Sequence, residues 1–283
     1  MKKTRLLFIL SFLLINSSIA QKVAKPFVLG LIDEIQSAIL SEKRTLNIYL
    51  PDGYKQDDTT NYPVIYLLDG GADEDFIHIV GLVQYNTFPW INRVPQSIVV
   101  GIANTDRRRD FTFPSSIEED KKLVPRSGGS AKFIAFIERE LQPYIAKKYR
   151  TNASKTIIGE SLGGLLATEI LFTKPALFNK YIIISPSLWW DDASLLKRNP
   201  GILQDTFSEK TAIYIGVGKE GLAPVNGNHV MEVEANVLAD KIKNSKSKNV
   251  SVYFDYLPQE DHATIMHPAV FNAFRILYPK DKK

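Results

Sequence analysis

The 283-residue sequence contains no cysteine, which excludes disulfide bonds, thiolate metal sites and the attachment of lipid to a thiol. It also has no internal repeat, no low-complexity tract and no linker rich in glycine, serine and proline. Histidine is scarce, with four in the whole chain, so few side chains can serve as a histidine base. A chain of this size can bury a sufficient core without disulfides.

A short apolar segment near the N-terminus predicts a signal peptide. Residues 2–5 carry three positive charges, Leu6 to Ile15 is apolar but short for a bilayer, and Ser18-Ile19-Ala20 offers small residues at a cleavage site. We therefore predict a signal peptide over residues 1–20, and a mature chain that starts at Gln21. The mature chain should be exported, either periplasmic or secreted, with no stable membrane insertion. A retained anchor helix is the alternative.

Removal of this segment leaves almost no net charge. The segment holds 3 of the 35 basic residues and no acidic one, which leaves 32 basic residues against 31 acidic ones. Proteins that bind nucleic acid need a basic surface to neutralise phosphates. The composition therefore gives no support to a nucleic-acid partner.

Strand and helix patterns alternate along the rest of the chain, which favours a single α/β domain over residues 21–283 with a mostly parallel sheet. Apolar, β-branched runs bounded by turn residues predict the strands, and apolar residues at helical spacing predict the helices. The predicted strands are 27–40, 44–50, 62–68, 97–103, 155–158, 181–184, 211–217 and 250–256. The clearest helices are 130–149, about 229–244 and 270–277.

The segment Thr156 to Thr168 has the pattern of a strand, a sharp turn and a helix, with Gly159-Glu160-Ser161-Leu162-Gly163 at the turn. In this context the G-x-S-x-G spacing presents a serine hydroxyl above the sheet edge. The following helix N-terminus favours negative charge there. We therefore predict that Ser161 is a nucleophile. A glycine-rich turn in which Ser161 only caps the helix is the alternative.

A serine nucleophile needs a base and a carboxylate that orients the base, in the chain order serine, acid, histidine for this turn. His262 lies in a polar loop after the last predicted strand, where the base is required, and is preferred to His267, His229 and His78. Glu220 lies at the end of the preceding strand and is the predicted acid. A solvated carboxylate paired with Lys219 is the alternative.

Two backbone N–H groups are candidates for binding the oxyanion of an acyl-transfer reaction. Leu162 directly follows the serine, and Gly71 lies in the Asp69-Gly70-Gly71-Ala72 loop after an earlier buried strand. Glycine lets the backbone approach a substrate oxygen closely. A plain turn at Gly71 remains the alternative.

The chain contains, in this order, the segments 48–54, 66–70, Asn104-Thr105-Asp106-Arg107-Arg108-Arg109-Asp110, 159–164, Ser185-Pro186-Ser187-Leu188-Trp189-Trp190 and 260–262. In these segments it resembles the bacterial esterase family of α/β-hydrolases that includes the enterobactin and salmochelin esterases. The resemblance spans nearly the whole mature chain and is closest to the short exported type. It implies an α/β-hydrolase fold with an eight-stranded sheet, a Ser/acid/His site at Ser161, Glu220 and His262, and no metal or organic cofactor.

Two of these segments offer substrate-binding candidates. Arg109, in a loop after a buried strand, could hold an anionic or catecholate group, or it could pin the loop through Asp106 or Asp110. Of Trp189 and Trp190, one should lie in the core and the other could offer a flat wall to an aromatic acyl group. We predict that Arg109 and Trp190 bind the substrate.

These features predict a serine carboxylic-ester hydrolase that acts through an acyl-enzyme on a small-molecule ester, with catecholate siderophore trilactones as the substrate suggested by the resemblance. A carbohydrate-directed acyl esterase, feruloyl or acetyl, is the alternative in the same class. An acyltransferase and a non-catalytic ligand-binding relative are further alternatives. The sequence leaves the substrate and the oligomeric state open.

Overall fold

The computed structural model of the protein describes residues 24–225 and 227–279, so the predicted signal peptide at residues 1–20 lies outside the described residues. The apolar runs form eight strands of one sheet, each close to its predicted position. The strands are β1 (Leu31–Ser37), β2 (Glu42–Tyr49), β3 (Tyr62–Leu67), β4 (Ile98–Ile102), β5 (Thr151–Glu160), β6 (Lys180–Ile184), β7 (Thr211–Gly218) and β8 (Val250–Leu257).

The strand order is β1-β2-β4-β3-β5-β6-β7-β8. β1 pairs antiparallel with β2, and β2 pairs antiparallel with β4. Every pairing from β4 to β8 is parallel. A mostly parallel sheet of eight strands flanked by helices confirms the predicted fold class.

Nine α-helices of five or more residues lie within the described ranges, and two of them, separated by a π-helical turn, replace the single helix predicted over 130–149. Pro143 has no N–H to donate to the carbonyl of Arg139, which accounts for a wide π-helical turn over Ile137–Leu141 that divides that helix in two. The helices before this turn are α1 (Phe76–Thr87), α2 (Arg107–Phe111), α3 (Glu118–Leu123) and α4 (Ser130–Phe136). Those after it are α5 (Gln142–Lys148), α6 (Leu162–Thr173), α7 (Trp190–Lys197), α8 (Met231–Lys243) and α9 (Met266–Leu277).

The central strands are buried on both faces because successive side chains alternate between two hydrophobic cores. In β5, Ile157 belongs to one core and Ile158 to the other. One core contains residues of α1 and α9, and the other contains residues of α4, α6 and α8. Among the residues described, no helix is long and apolar enough to cross a membrane.

The parallel strands bring five loops to one edge of the sheet. Asp69 follows β3, Ser161 follows β5, Ser185 follows β6, Glu220 follows β7 and His262 follows β8. In open α/β sheets, the carboxyl ends of the strands form the edge at which ligands bind. The fold therefore gathers side chains that are up to about 190 residues apart in sequence at one site.

Candidate active site

Ser161 occupies a strained turn between β5 and α6. Its backbone has φ 58° and ψ −119°, a conformation that few residues other than glycine adopt. A Cβ on Gly159 would lie 2.5 Å from the carbonyl oxygen of Gly163, so the strand and the helix can meet this closely only because residue 159 is glycine. The turn projects the Ser161 hydroxyl away from the sheet, as the sequence pattern predicts.

His262 and Glu220 continue a line of hydrogen bonds from Ser161. Ser161 Oγ lies 3.0 Å from His262 Nε2, and His262 Nδ1 lies 2.6 Å from Glu220 Oε2. The His262 side chain is 47% exposed, whereas that of Glu220 is 3% exposed. The three residues that the sequence selects therefore form a line in which His262 lies within hydrogen-bonding distance of both Ser161 and Glu220. Glu220 is buried, and His262 is partly exposed to solvent.

The loop that carries His262 is fastened to the end of β7. The Lys219 N–H donates to the Glu260 carbonyl at 2.7 Å, and a Cβ on Gly218 would lie 2.6 Å from the same oxygen. Asp261 accepts hydrogen bonds from the N–H groups of Ala263 and Thr264. Glu260 and Asp261 thus shape the loop, and Glu220 rather than either of them contacts His262.

Glu220 is itself held from two sides. The Ser185 hydroxyl donates to Glu220 Oε1, and the Gly218 N–H donates to the same oxygen at 3.3 Å. Glu232 accepts the backbone N–H of Glu220 at 2.8 Å and that of Gly221. The sequence analysis assigns no role to Glu232 or to Ser185, although Ser185 lies in a segment that carries the family resemblance.

The hydrogen bonds set the charges of the acid and the histidine. Burial acts to raise the pKa of Glu220, but the hydrogen bonds from His262 and Ser185 outweigh it, so the pKa lies below its usual value. The hydrogen bond to Glu220 raises the pKa of His262 above its usual value, against the effect of burial. The pair therefore favours an ionised carboxylate beside a histidine that readily accepts a proton.

Glu160 is a further carboxylic acid at the site that the sequence did not single out. Burial raises its pKa to about 7, and its Oε1 is buried without a hydrogen-bond partner in the described part of the chain. Its charge acts on His262, whose pKa it helps to raise. Glu160 immediately precedes Ser161, so its position was visible in the motif but its burial was not.

The two predicted oxyanion donors differ in their present partners. Leu162 is the first residue of α6, so its N–H has no acceptor within the helix. The Gly71 N–H donates to Glu74 Oε2 at 2.6 Å. The Glu74 side chain would have to turn away before the Gly71 N–H could bind an oxyanion. The role of Gly71 as an oxyanion donor stays a prediction.

Arg109, which the sequence predicts to bind substrate, has its guanidinium held in an ion-pair cluster. Nε donates to Asp110 Oδ1 at 2.7 Å, and the two terminal nitrogens donate to Glu42 at 3.2 Å and 2.6 Å. Asp110 also pairs with buried Arg44. Asp106 caps α2 by accepting the backbone N–H of Arg109, and the ion pair of Arg109 with Glu42 joins this short helix to β2.

Arg107, two residues earlier, is the arginine that reaches the turn at Ser161. It donates to both carboxylate oxygens of Asp69, at 2.6 Å and 2.9 Å, and to the backbone carbonyl of Glu160 at 3.2 Å. Asn104 donates to Asp69 and to Glu74, at 2.6 Å in each case. This network joins the loop after β3 to the residue that precedes Ser161.

Trp190, the other residue predicted to bind substrate, lies in the hydrophobic core and does not line the cavity beside Ser161. Trp190 is fully buried, and its indole N–H donates to the Phe113 carbonyl at 2.9 Å. Its neighbour Trp189 instead lines a cavity of about 240 Å³ beside Ser161. The other residues that line this cavity are Ser187, Glu220, Leu222, Ala223, Pro224, Met231 and His262.

The remaining histidines make contacts elsewhere. His229 Nδ1 lies 2.5 Å from Glu234 Oε1, and the rings of His78 and His267 pack edge to face at 4.9 Å between centroids. Within the described residues, no group of three or more histidine, aspartate or glutamate side chains could hold a metal ion.

The sheet topology and the serine turn define an α/β-hydrolase, the class of fold in which a serine at this turn attacks esters and related acyl groups. Residues 37–259 match the model of the esterase family, described as "Putative esterase". The chain belongs to this family and is a carboxylic ester hydrolase.

Curated relatives and solved structures agree with this membership. The chain is 29% identical to the ferri-bacillibactin esterase BesA of Bacillus subtilis (strain 168) over 257 residues, which cover 84% of this chain and 87% of BesA. It is similar to the crystal structure of an IroE-like serine hydrolase from Shewanella oneidensis, with 31% identity, a TM-score of 0.77, and coverage of 88% and 80% of the two chains. The BES protein of Bacillus cereus gives 27% identity, a TM-score of 0.78, and coverage of 92% and 100%.

Proposed function

We propose that the protein hydrolyses its ester through Ser161, His262 and Glu220, by way of an acyl-enzyme. The observation that carries the proposal is the continuous line from Ser161 Oγ to His262 Nε2 at 3.0 Å and from His262 Nδ1 to Glu220 at 2.6 Å. These distances suit proton transfer from the serine to the histidine without rearrangement.

In the first half of the reaction, Ser161 Oγ bonds to the ester carbonyl carbon while His262 Nε2 takes the hydroxyl proton. The carbonyl oxygen becomes an oxyanion, which the Leu162 N–H and the positive end of α6 stabilise. Glu220 accepts the Nδ1 proton in a hydrogen bond and stabilises the imidazolium. The bond to the alcohol then breaks, and the alcohol leaves with the proton from His262 Nε2.

In the second half, water takes the place of the alcohol. His262 Nε2 removes a proton from the water as its oxygen bonds to the acyl carbon. The tetrahedral intermediate collapses, the bond to Ser161 Oγ breaks, and the serine regains its proton from His262. The products are a carboxylic acid, which ionises in solution, and the free enzyme.

For the substrate, we propose a catecholate siderophore ester. BesA carries the name of a ferri-bacillibactin esterase, and it is similar to this chain over most of its length. The cavity beside Ser161 is lined mainly by apolar side chains, with the Trp189 ring as its aromatic wall. At about 240 Å³ it is smaller than the pockets that enclose a drug-sized ligand, so it suits one aromatic acyl arm of a larger ester.

We also propose that the enzyme works outside the cytoplasm, after removal of residues 1–20 as a signal peptide. The positive n-region, the short apolar run and Ser18-Ile19-Ala20 support this location.

The test combines covalent labelling with a substrate panel. A fluorophosphonate probe should add one label to the wild type and none to Ser161→Ala, because only an activated serine attacks the probe. The panel contains p-nitrophenyl acetate, feruloyl and acetyl sugars, and a catecholate trilactone, with turnover of the trilactone expected to be fastest. Equal labelling of Ser161→Ala would refute the nucleophile assignment. Efficient hydrolysis of the sugar esters without trilactone hydrolysis would instead identify a carbohydrate-directed esterase.

A further inference from the structure

Ser185 follows β6 directly and lies where the ends of β6 and β7 are side by side. The two strands pair in parallel, with Ile184 opposite Gly216. The Ser185 N–H continues this ladder by donating to the Gly216 carbonyl at 2.8 Å. The side chain is fully buried, so its hydroxyl needs a hydrogen-bond partner inside the protein.

That partner is the carboxylate of Glu220. The Ser185 hydroxyl donates to Oε1, and His262 Nδ1 contacts Oε2 at 2.6 Å. The two oxygens of one carboxylate are thus divided between Ser185 and His262. A carboxylate fixed by both oxygens cannot rotate about its terminal bond without losing one of the two contacts.

The backbone of Ser185 is strained, which argues that its side chain is not incidental. Its φ of 41° lies in the left-handed region, where glycine is comfortable and other residues seldom occur. Glycine at this position would relieve the strain and lose nothing but the hydroxyl contact. Strained residues of this kind cluster at functional sites, where the surrounding structure holds them in place.

We propose that Ser185 is the positioning residue of the acid: its hydroxyl holds the Glu220 carboxylate so that Oε2 faces His262. The inference deepens the proposed function, on which its catalytic consequence rests. The Gly218 N–H assists from the backbone at 3.3 Å, a longer contact to the same oxygen. Ser185 makes no contact with the reacting atoms, so it acts through Glu220.

Loss of the Ser185 hydroxyl should change the pKa of His262, because His262 contacts the other oxygen of the Glu220 carboxylate. With Glu220 free to turn away, His262 loses the partner that does most to raise its pKa. Glu160, at the end of β5, and Arg107, in α2, also act on His262. Both remain unchanged in Ser185 variants, so any change in the pKa of His262 reports on Glu220.

The experiment measures the pKa of His262 by NMR of the imidazole in the free enzyme, with its signal assigned by a His262→Gln variant. Ser185→Gly and Ser185→Ala both remove the hydroxyl, and the glycine variant keeps the left-handed backbone. Ser115→Ala is the matched control, because the Ser115 hydroxyl also donates to a buried carboxylate, that of Asp120 at 2.7 Å, away from Glu220. The pKa of His262 should fall in both Ser185 variants and stay at the wild-type value in Ser115→Ala.

Ester hydrolysis provides the second readout. In the Ser185 variants we expect kcat to fall by about ten- to hundredfold, as activity does when the partner that orients a metal-ligating side chain is removed. KM should change little, and the acid limb of kcat/KM should move to lower pH. Retention of the wild-type pKa of His262 in both Ser185 variants would overturn the inference. If the wild type hydrolyses no ester and takes no fluorophosphonate label, the proposed function fails, while the NMR titration still decides the role of Ser185.

Discussion

The backbone N–H of Gly71 donates to the Glu74 carboxylate at 2.6 Å, and that N–H is the donor predicted to face the substrate oxyanion. Glu74 thus holds the hydrogen bond that an oxyanion would need. Asn104 supports the arrangement by donating to the other oxygen of Glu74 at 2.6 Å.

Glu74→Ala should therefore make Gly71 available and remove a nearby negative charge. We expect kcat/KM for p-nitrophenyl acetate to rise by up to about tenfold, the factor that corresponds to one hydrogen bond to a charged acceptor. Asp73→Ala is the control, because Asp73 is an exposed carboxylate of the same charge next to Glu74. If Glu74→Ala is no faster than Asp73→Ala, Gly71 is not the second donor.

Glu220→Gln should fold normally and lower kcat by about two to four orders of magnitude, because His262 loses the charge that orients and stabilises its imidazolium. Steady-state kinetics and a melting curve measure the two effects. Glu232→Gln is the comparison, since Glu232 holds the backbone of Glu220 and does not contact His262. A Glu220→Gln enzyme with nearly wild-type kcat beside an inactive Glu232→Gln enzyme would contradict the choice of acid.

The acid limb of kcat/KM should lie above the ordinary histidine pKa of about 6.5. His262 must be neutral to accept the serine proton, and its raised pKa means that activity is lost as the pH falls through that raised value. The negative charge of Glu160 contributes to the shift, so Glu160→Gln should move the limb to lower pH. A pH profile from 5 to 9 for both enzymes is the measurement, and an upward movement would contradict the electrostatic role of Glu160.

Arg109→Gln should lower the stability of the fold and affect all substrates alike. The substitution leaves buried Asp110 with Arg44 alone, and we expect a loss of about 1–2 kcal/mol, a value reduced for the partial exposure of Arg109. Thermal melting and assays on p-nitrophenyl acetate and the trilactone measure both effects. Arg139→Gln is the control, since its pair with Glu138 is exposed and 3.8 Å long. A loss of activity confined to the trilactone would instead show that Arg109 binds the substrate.

The two tryptophans should separate substrate recognition from stability. Trp189→Ala removes the aromatic wall of the cavity, so kcat/KM for aromatic acyl esters should fall about tenfold more than for acetyl esters. Trp190→Phe should leave this ratio unchanged and cost about 1–3 kcal/mol of folding stability, because it leaves a buried carbonyl unpaired and a space unfilled. If Trp190→Phe changes the preference for aromatic acyl esters and Trp189→Ala does not, Trp190 is the substrate-binding residue.

Most of the fold could be predicted from local patterns. The central strands β3, β4, β6 and β7 are visible as apolar runs, because strands buried on both faces seldom tolerate polar side chains. The first strand begins at Leu31 and not at the predicted Phe27. The apolar side chain of Phe27 suggests a buried strand residue, but in the structure it is exposed. The interruption of the helix over 130–149 depends on Pro143 and was missed because its apolar spacing continues through the turn.

The sequence by itself determined Ser161, His262 and Glu220 as candidates, because each lies in the segment that follows the end of a strand and the parallel sheet brings such positions to one edge. Only the tertiary structure decided between neighbours such as Trp189 and Trp190, or Arg107 and Arg109. Residues this close in the chain share nearly the same sequence context, yet their side chains point in different directions. The direction of each side chain decides whether it is buried and which ion pairs it forms. The roles of Ser185 and Glu74 likewise depend on hydrogen bonds that form only once distant or strained segments pack together.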